Sequence, residues 1–200
     1  MTFDPATPSH LAGGVLRRSA GPPVAVTDPA TLETVGYRAE TTEAEREAAL
    51  DAVTAAQRGW AALDAKSRAA ALHAVAARIE AADHAAIGAL MTREVGKPYP
   101  ESVGELANCA SVFRYFAEMA RDEAGKVAGS VQAGSFQYAR YEPLGVSVHI
   151  MPFNFPILLM CWTVSASLAA GNGCVIKPAE ATTLTTLAFM DVFADLPAGL

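Results

Sequence analysis

Two small groups of polar residues in this chain have types and positions that suit ligand chemistry. Asn154 lies between two prolines in the run Pro152-Phe153-Asn154-Phe155-Pro156, and Lys177 and Glu180 follow one predicted helix and one predicted strand later. A carboxamide donates hydrogen bonds to a charged oxygen, and a carboxylate accepts them from hydroxyl groups. Taken alone, Asn between prolines is equally a good turn residue. Lys and Glu three positions apart commonly form a solvated ion pair.

The segments around these residues predict a strand, a helix and a second strand. Residues 145–150 are mostly apolar and rich in β-branched side chains, as in a buried strand. Residues 157–170 are apolar nearly all round and meet Gly171-Asn172-Gly173, which predicts a buried helix that stops there. Residues 174–176 form the second short strand, which Pro178 closes.

Such a unit predicts parallel strands with a right-handed crossover, so both loops that follow the strands leave the sheet at the same edge. Asn154 and Lys177 are therefore expected on one face, where open α/β sheets bind ligands. The helix between the strands has about fourteen residues, short of the ~20 that span a bilayer. It is predicted to be a core helix.

Four helices are predicted before this unit and one after it. Thr42 and Glu45 form a capping box that opens the first helix towards Trp60. Ser67 is the predicted cap of the second. The other helices are predicted from residues that typically start or end a helix. The first four predicted helices span about 42–60, 67–82, 83–95 and 100–120, and the fifth runs from Thr182 or Thr183 to about residue 194.

The remaining segments predict a leader and a hairpin. Residues 1–25, rich in Gly, Pro and Ala, are expected to form a loose leader, followed by a turn at Asp28-Pro29-Ala30-Thr31 between short strands. Residues 125–144 are predicted to form a β-hairpin with one exposed face, because they contain Gly129 and Gly134 and alternate in polarity over residues 136–140. Because a second subunit commonly covers such an edge, a homo-oligomer is expected. A strictly monomeric complete protein in sedimentation would count against it.

The composition narrows the class of partner. The chain has 52% hydrophobic residues and a formal charge of −6, with no basic cluster. This argues against nucleic acid or an anionic membrane as the main partner and favours a small molecule. The three cysteines are scattered and lack metal-ligand spacing, so neither a disulfide framework nor a metal site is expected. Without a secretory pattern at the amino terminus, a cytoplasmic protein is predicted.

Several single residues have structural interpretations. His149 lies within a predicted strand and is expected to be a structural histidine rather than a base. Trp60, Phe113 and Trp162 are expected to be core aromatics.

An ordered set of short motifs over residues 28–200 resembles the aldehyde dehydrogenase superfamily. They are Asp28-Pro29-Ala30-Thr31, Trp60, Arg68-Ala69, Glu94-Val95-Gly96-Lys97-Pro98, Glu142-Pro143-Leu144-Gly145-Val146, Pro152-Phe153-Asn154-Phe155-Pro156, Ala169-Ala170-Gly171-Asn172 and Lys177-Pro178-Ala179-Glu180. Each motif is weak alone, but the ordered set is specific. The resemblance implies an α/β fold with amino-terminal helices, part of a Rossmann-like parallel sheet and a protruding β-hairpin arm.

Members of that family oxidise a small-molecule aldehyde to an acid with NAD or NADP. A cysteine thiolate forms a thiohemiacetal, hydride leaves, and the resulting thioester is hydrolysed. Asn154 matches the family's catalytic asparagine. Its amide would stabilise the charge that develops on the carbonyl oxygen, a contribution of about 10² to 10³ in rate.

The resemblance also implies a cofactor site. Lys177 and Glu180 match the residues that bind the adenosine ribose, and a carboxylate there favours NAD, with NADP less expected. The cofactor would pass mainly the backbone of Ile150, Met151, Pro152 and Phe153. Phe153 stands where the family more usually has tryptophan, a difference expected to affect substrate-channel packing. Residues 26–124 and 145–200 would form an incomplete cofactor-binding domain, and 125–144 an oligomerisation hairpin.

The family's catalytic domain, including the nucleophilic cysteine and the glutamate that activates water, is expected beyond Leu200. Cys109, Cys161 and Cys174 lie in predicted apolar elements and are not expected to replace that cysteine. The chain alone is therefore predicted to be inactive. Two alternatives stay open. One is a nucleotide-binding or subunit-interaction module without catalysis, and the other is a relative that passes the acyl group to coenzyme A or reduces an acyl phosphate.

Overall fold

A computed structural model describes residues 3–122, 124–197 and 199–200. The first four strands form two antiparallel hairpins, β1 (Ser9–Ala12) with β2 (Val15–Arg18) and β3 (Pro23–Thr27) with β4 (Thr34–Ala39). Four helices follow, α1 (Glu43–Ala62), α2 (Ala65–Ala81), α3 (His84–Val95) and α4 (Tyr99–Met119). The remaining elements are β5 (Gly125–Ala128), β6 (Gln137–Arg140), β7 (Val146–Ile150), α5 (Pro156–Ala169), β8 (Gly173–Lys177) and α6 (Thr183–Phe189).

The parallel unit predicted from the sequence is β7, α5 and β8. β7 and β8 pair in parallel with Ile150 opposite Lys177, and the Met151 N–H donates to the Lys177 carbonyl at 3.0 Å. Gly171, with φ of 91°, ends α5 in the left-handed region that glycine adopts without strain. Among the described residues, no helix is both long and apolar enough to cross a membrane. The architecture is α/β, as predicted.

Helix starts were predicted with mixed success. The capping box of α1 is confirmed, since Glu45 N–H donates to Thr42 Oγ1 at 3.3 Å and Thr42 N–H donates to Glu45 Oε2 at 2.7 Å. The cap predicted at Ser67 is wrong. Asp64 caps α2 and accepts the Ser67 N–H at 2.7 Å, so the helix begins earlier than expected. Both residues have capping side chains, and the earlier one lies next to the first helical residue.

The last helix is shorter than predicted and is capped differently. α6 covers seven residues between two 3₁₀ turns, Glu180–Thr182 and Met190–Phe193. Neither Thr182 nor Thr183 caps it with a side chain. The acceptor is Glu94, a buried residue of α3 that takes the N–H groups of Leu184 and Thr185 at 2.8 and 2.7 Å. The cap therefore comes from a distant helix rather than from the adjacent sequence.

Residues 3–25, expected to belong to a loose leader, are held to the rest of the molecule. They contain β1, β2 and the start of β3. The Tyr37 N–H donates to the Pro5 carbonyl at 2.8 Å, and the Ala20 N–H donates to Glu45 Oε1 at 2.7 Å. A backbone hydrogen bond to β4 and a bond from a backbone N–H to the Glu45 carboxylate of α1 therefore order a segment whose composition suggested no regular structure.

The main core lies between α2, α4 and α5. Its fully buried side chains include Leu72, Ile79, Leu106, Phe113, Ile157, Met160 and Leu168. Trp60 and Phe113 are core aromatics, as predicted, but Trp162 is 44% exposed. It contacts Phe116 edge to face, with ring centroids 5.9 Å apart. Because α5 is apolar nearly all round, its sequence does not show which face is left uncovered.

The predicted hairpin of residues 125–144 is present, and its apolar side chains are exposed. β5 and β6 pair antiparallel, with Gly125 opposite Arg140. Val127, Phe136 and Tyr138 are each at least 70% exposed. The role of the hairpin in oligomer formation stays a prediction.

Candidate functional site

The edge where β7 and β8 end brings the predicted site residues to one side of the sheet. Asn154 lies in the loop between β7 and α5, and Lys177 is the last residue of β8. Because these strands are parallel and in register at their ends, both loops emerge together. Asn154 and Lys177 are both exposed. The two residues thus lie on the same rim.

Glu180 begins the 3₁₀ turn after β8 and is 72% exposed. Its carboxylate lies 3.8 Å from Arg38 Nη2 of β4. The Lys177–Glu180 ion pair considered from the sequence is not formed in the described part of the chain. The arginine instead holds the carboxylate loosely, at a distance and exposure where an ion pair contributes little to stability. Glu180 is therefore accessible to a ligand at this rim.

The four residues whose backbone is predicted to contact the cofactor differ in exposure. Ile150 is 75% exposed and Phe153 is 62% exposed, and Pro152 is exposed as well. Met151 is buried, and its N–H is already bonded to the Lys177 carbonyl. Met151 therefore closes the strand pair and has no free N–H to offer, whereas the other three residues line the surface of the rim.

The Asn154 loop is anchored by a buried ion pair that the sequence analysis did not predict. Lys97 Nζ donates to Glu105 Oε2 at 2.5 Å and to the Asn154 carbonyl at 3.2 Å. It also lies 3.8 Å from the centroid of the Phe155 ring. Lys97 is 8% exposed and Glu105 is 3% exposed. Lys97 belonged to one of the family motifs, but no local pattern pointed to Glu105.

Glu105 also caps α5. Its Oε1 accepts the N–H groups of Ile157 and Leu158 at 2.8 and 2.9 Å. The helix has no side-chain cap of its own, and its first helical residue is Pro156. A carboxylate at this position satisfies free N–H groups and interacts favourably with the positive end of the helix dipole. The pair thus fixes both the loop and the start of the helix behind it.

The other end of α5 is fixed by side chains from α1 and α2. Trp60 Nε1 donates to the Leu168 carbonyl at 2.8 Å, and Arg68 Nε donates to the Ala169 carbonyl at 3.2 Å. The Leu168 carbonyl also accepts the Gly171 N–H at 2.9 Å, so Trp60 adds a second bond there, and the Arg68 cation complements the dipole at the carboxyl end of the helix. Two of the family motifs, Trp60 and Arg68, therefore hold the helix that carries the Asn154 loop.

Buried titratable groups near the strands have structural contacts. His149 Nε2 lies 2.8 Å from Ser147 Oγ, and burial lowers the pKa of His149 below its ordinary value of 6.5. Burial raises the pKa of the Cys174 thiol and, by more, that of Cys161. Cys109 is fully buried and donates to the Glu105 carbonyl. Protonated, buried thiols are poor nucleophiles.

Comparisons with known proteins agree on one family. The sequence model of the aldehyde dehydrogenase family matches residues 16–200. The fluoroacetaldehyde dehydrogenase of Streptantibioticus cattleyicolor is 38% identical over 177 residues, which is 86% of this chain and 34% of that protein.

Solved structures have the same fold over most of the chain. The E. coli NADP-dependent enzyme superimposes with a TM-score of 0.90 at 32% identity, over 97% of this chain and 40% of that one. PnpE in complex with nicotinamide adenine dinucleotide gives a TM-score of 0.88 at 31% identity, over 96% and 40%. The chain thus spans well under half the length of these relatives.

Proposed function

The chain belongs to the aldehyde dehydrogenase family, and we propose that it supplies the oxyanion donor and the ribose-binding residues of an NAD-dependent aldehyde-oxidising enzyme. The observation that carries the proposal is the shared rim of β7 and β8, with Asn154 after one strand and Lys177 and Glu180 after the other. Open α/β sheets bind ligands at this edge.

Asn154 would act on the aldehyde. When a nucleophile adds to the carbonyl, negative charge develops on oxygen, and a prepositioned amide N–H stabilises that charge more than it stabilises the neutral carbonyl. The Asn154 backbone is held by Lys97, while its side chain has no hydrogen-bond partner among the described residues. The amide is therefore available to the substrate. We propose that none of the three cysteines here is the nucleophile, because Cys109 and Cys161 are buried in the core and the partly buried Cys174 packs against it.

Lys177 and Glu180 would bind the adenosine ribose of NAD. A carboxylate accepts hydrogen bonds from both ribose hydroxyls, and the exposed position of Glu180 beyond the end of a parallel strand fits that role. When bound, the nicotinamide cofactor accepts hydride. PnpE was solved with NAD and the E. coli relative is NADP-dependent, so the family accommodates both cofactors. Repulsion between the Glu180 carboxylate and a 2′-phosphate supports NAD here.

The proposed reaction is tested by NADH formation from NAD and a panel of small aldehydes. The assay needs a completed enzyme, which is either a natural protein that contains this chain or the chain joined to the matching carboxy-terminal part of the fluoroacetaldehyde dehydrogenase. We expect NADH from the completed enzyme and none above background from the 200 residues alone. Robust turnover by the isolated chain, or release of an acyl-coenzyme A as the only product, would contradict the proposal.

Glu180→Gln tests the cofactor assignment. The variant should bind NAD about tenfold more weakly, because a neutral amide is a poorer hydrogen-bond acceptor than a carboxylate. A loss of about tenfold in affinity corresponds to the loss of one charge-assisted hydrogen bond. NADP binding should weaken less or improve, since the repulsion of the 2′-phosphate is removed. Calorimetric titration of the completed enzyme with each cofactor measures both changes. Glu47→Gln, which alters an exposed glutamate of α1, is the control, and equal losses for both cofactors would argue against ribose binding.

A further inference from the structure

The buried pair of Lys97 and Glu105 lies directly behind the exposed Asn154 loop. We propose that Lys97 is a positioning residue that sets the place of the Asn154 amide, with Glu105 as the anchor that holds Lys97. The inference deepens the proposed function and rests on it, because it concerns the donor assigned there. Lys97 would not touch the substrate, but it would set the position of Asn154, which does.

The contacts of Lys97 are directed at the loop itself. Its ammonium group donates to the Asn154 carbonyl at 3.2 Å and lies 3.8 Å from the centroid of the Phe155 ring. One buried cation therefore binds the backbone of the proposed donor and the side chain of the next residue. A lysine that is 8% exposed keeps one conformation far better than a surface lysine, whose long side chain remains mobile in solvent.

Glu105 makes this arrangement rigid by linking it to α5. Its Oε2 accepts from Lys97 at 2.5 Å, while its Oε1 accepts from the N–H groups of Ile157 and Leu158. Both oxygens are thus used, one for the loop and one for the helix start. At the other end of the loop, the Met151 N–H is fixed to β8. The five residues 151–155 are consequently tied to the protein on both sides of Asn154.

This arrangement matters for the orientation of the Asn154 side chain. No hydrogen bond within the described parts of the chain orients its amide, so its position depends on the backbone that Lys97 holds. Stabilisation of an oxyanion requires donors fixed close to the productive geometry, and a misplacement of about 1 Å can cost about 10² in rate. Loss of the Lys97 contact should therefore lower kcat while changing the KM for NAD little.

The test compares three variants of the completed enzyme. Lys97→Met keeps an apolar side chain against Phe155 and removes the bond to Asn154. The double variant Lys97→Met with Glu105→Gln also removes the buried charge and retains an acceptor for α5, in case the single variant fails to fold. Arg114→Met is the control, because it removes an exposed ion pair between α4, the helix that also carries Glu105, and Glu80 of α2. We expect kcat to fall about tenfold in either Lys97 variant and to stay near the wild-type value in the control.

A double-mutant cycle separates positioning from general weakening. In an Asn154→Ala background, the Lys97 variants should cause no further loss of kcat, since the residue they position is absent. A loss of equal size in that background, or an equal loss in Arg114→Met, would overturn the inference. An Asn154→Ala enzyme with unchanged kcat would instead refute the proposed function. A strong effect of Asn154→Ala with none from the Lys97 variants would refute only the positioning role.

Discussion

Replacing Asn154 with alanine is expected to lower kcat of the completed enzyme by about 10² to 10³, the usual cost of losing one oxyanion donor. The change removes an exposed amide and no buried contact of its side chain, so folding and NAD affinity should stay close to those of the wild type. The measurement is steady-state oxidation of a small aldehyde under saturating NAD, with NAD affinity measured separately.

Two further variants sharpen that result. Asn154→Asp keeps the size of the side chain but replaces the N–H donor with a carboxylate, so it should be at least as slow as Asn154→Ala. Asn108→Ala removes an exposed amide on α4 that donates to the Gly104 carbonyl of the same helix, and its kcat should be unchanged. If Asn154→Ala retained full kcat with chemistry rate-limiting, Asn154 could not be the donor.

Glu94→Ala is expected to destabilise the 200-residue chain by roughly 3 kcal/mol, because buried donors without an acceptor each cost about 1–3 kcal/mol. Glu94 is 4% exposed, and it accepts from two N–H groups of α6 and from Thr185 Oγ1 at 2.6 Å. Its loss leaves the start of α6 without a cap. Urea denaturation followed by circular dichroism measures the change in the free energy of unfolding. Glu47→Ala, at an exposed position of α1, is the control. A change under about 0.5 kcal/mol would match an ordinary surface substitution and contradict this role.

The ionisation of Glu94 gives this prediction a pH dependence. Burial raises the pKa of Glu94 above its ordinary value of 4.5, against the hydrogen bonds from Thr185 and Leu184 that lower it. Between pH 4.5, the ordinary pKa of the unfolded chain, and the raised pKa of the folded chain, the folded state binds more protons than the unfolded state. The free energy of unfolding therefore falls as the pH rises through that interval. Glu94→Gln cannot ionise, so the stability of the wild type relative to this variant should decline from pH 4.5 upwards. A relative stability that rose over the same interval would contradict the sign.

Local signals were sufficient for the parallel unit and for the rim. Proline and glycine residues mark the ends of β7, α5 and β8. The β-branched side chains of residues 145–150 favour a strand over a helix in that segment. The register of parallel strands then places Asn154 and Lys177 on the same edge without further information. For this reason the placement of the candidate site could be predicted with some detail from a single sequence.

Contacts between distant segments account for most of what was missed. Glu94 caps α6 by accepting an N–H 90 residues later in the chain, and Glu105 caps α5 by accepting one 52 residues later. Nothing in the sequence next to a buried glutamate shows which helix end it will meet, because that depends on how the helices pack. The exposed Trp162 has the same origin, since the face of α5 left uncovered is decided by its neighbours.

The structure also gives a physical reason for several motifs that carried the family resemblance. Glu94 caps α6, Gly96 ends α3 with φ of 81°, and Lys97 anchors the Asn154 loop. Trp60 and Arg68 bind the carbonyls at the end of α5. These residues therefore support the rim from behind, although the sequence alone showed them only as matches to a pattern.

We propose that one edge of the β7–β8 pair carries both the amide donor and the adenosine-ribose site. A crystal structure of the completed enzyme with NAD tests it most directly. We predict that the ribose hydroxyls hydrogen-bond to the Glu180 carboxylate and that the nicotinamide end lies on the side of the rim that Asn154 faces. Adenosine bound away from Glu180, or an Asn154 amide turned from the substrate pocket, would contradict the account.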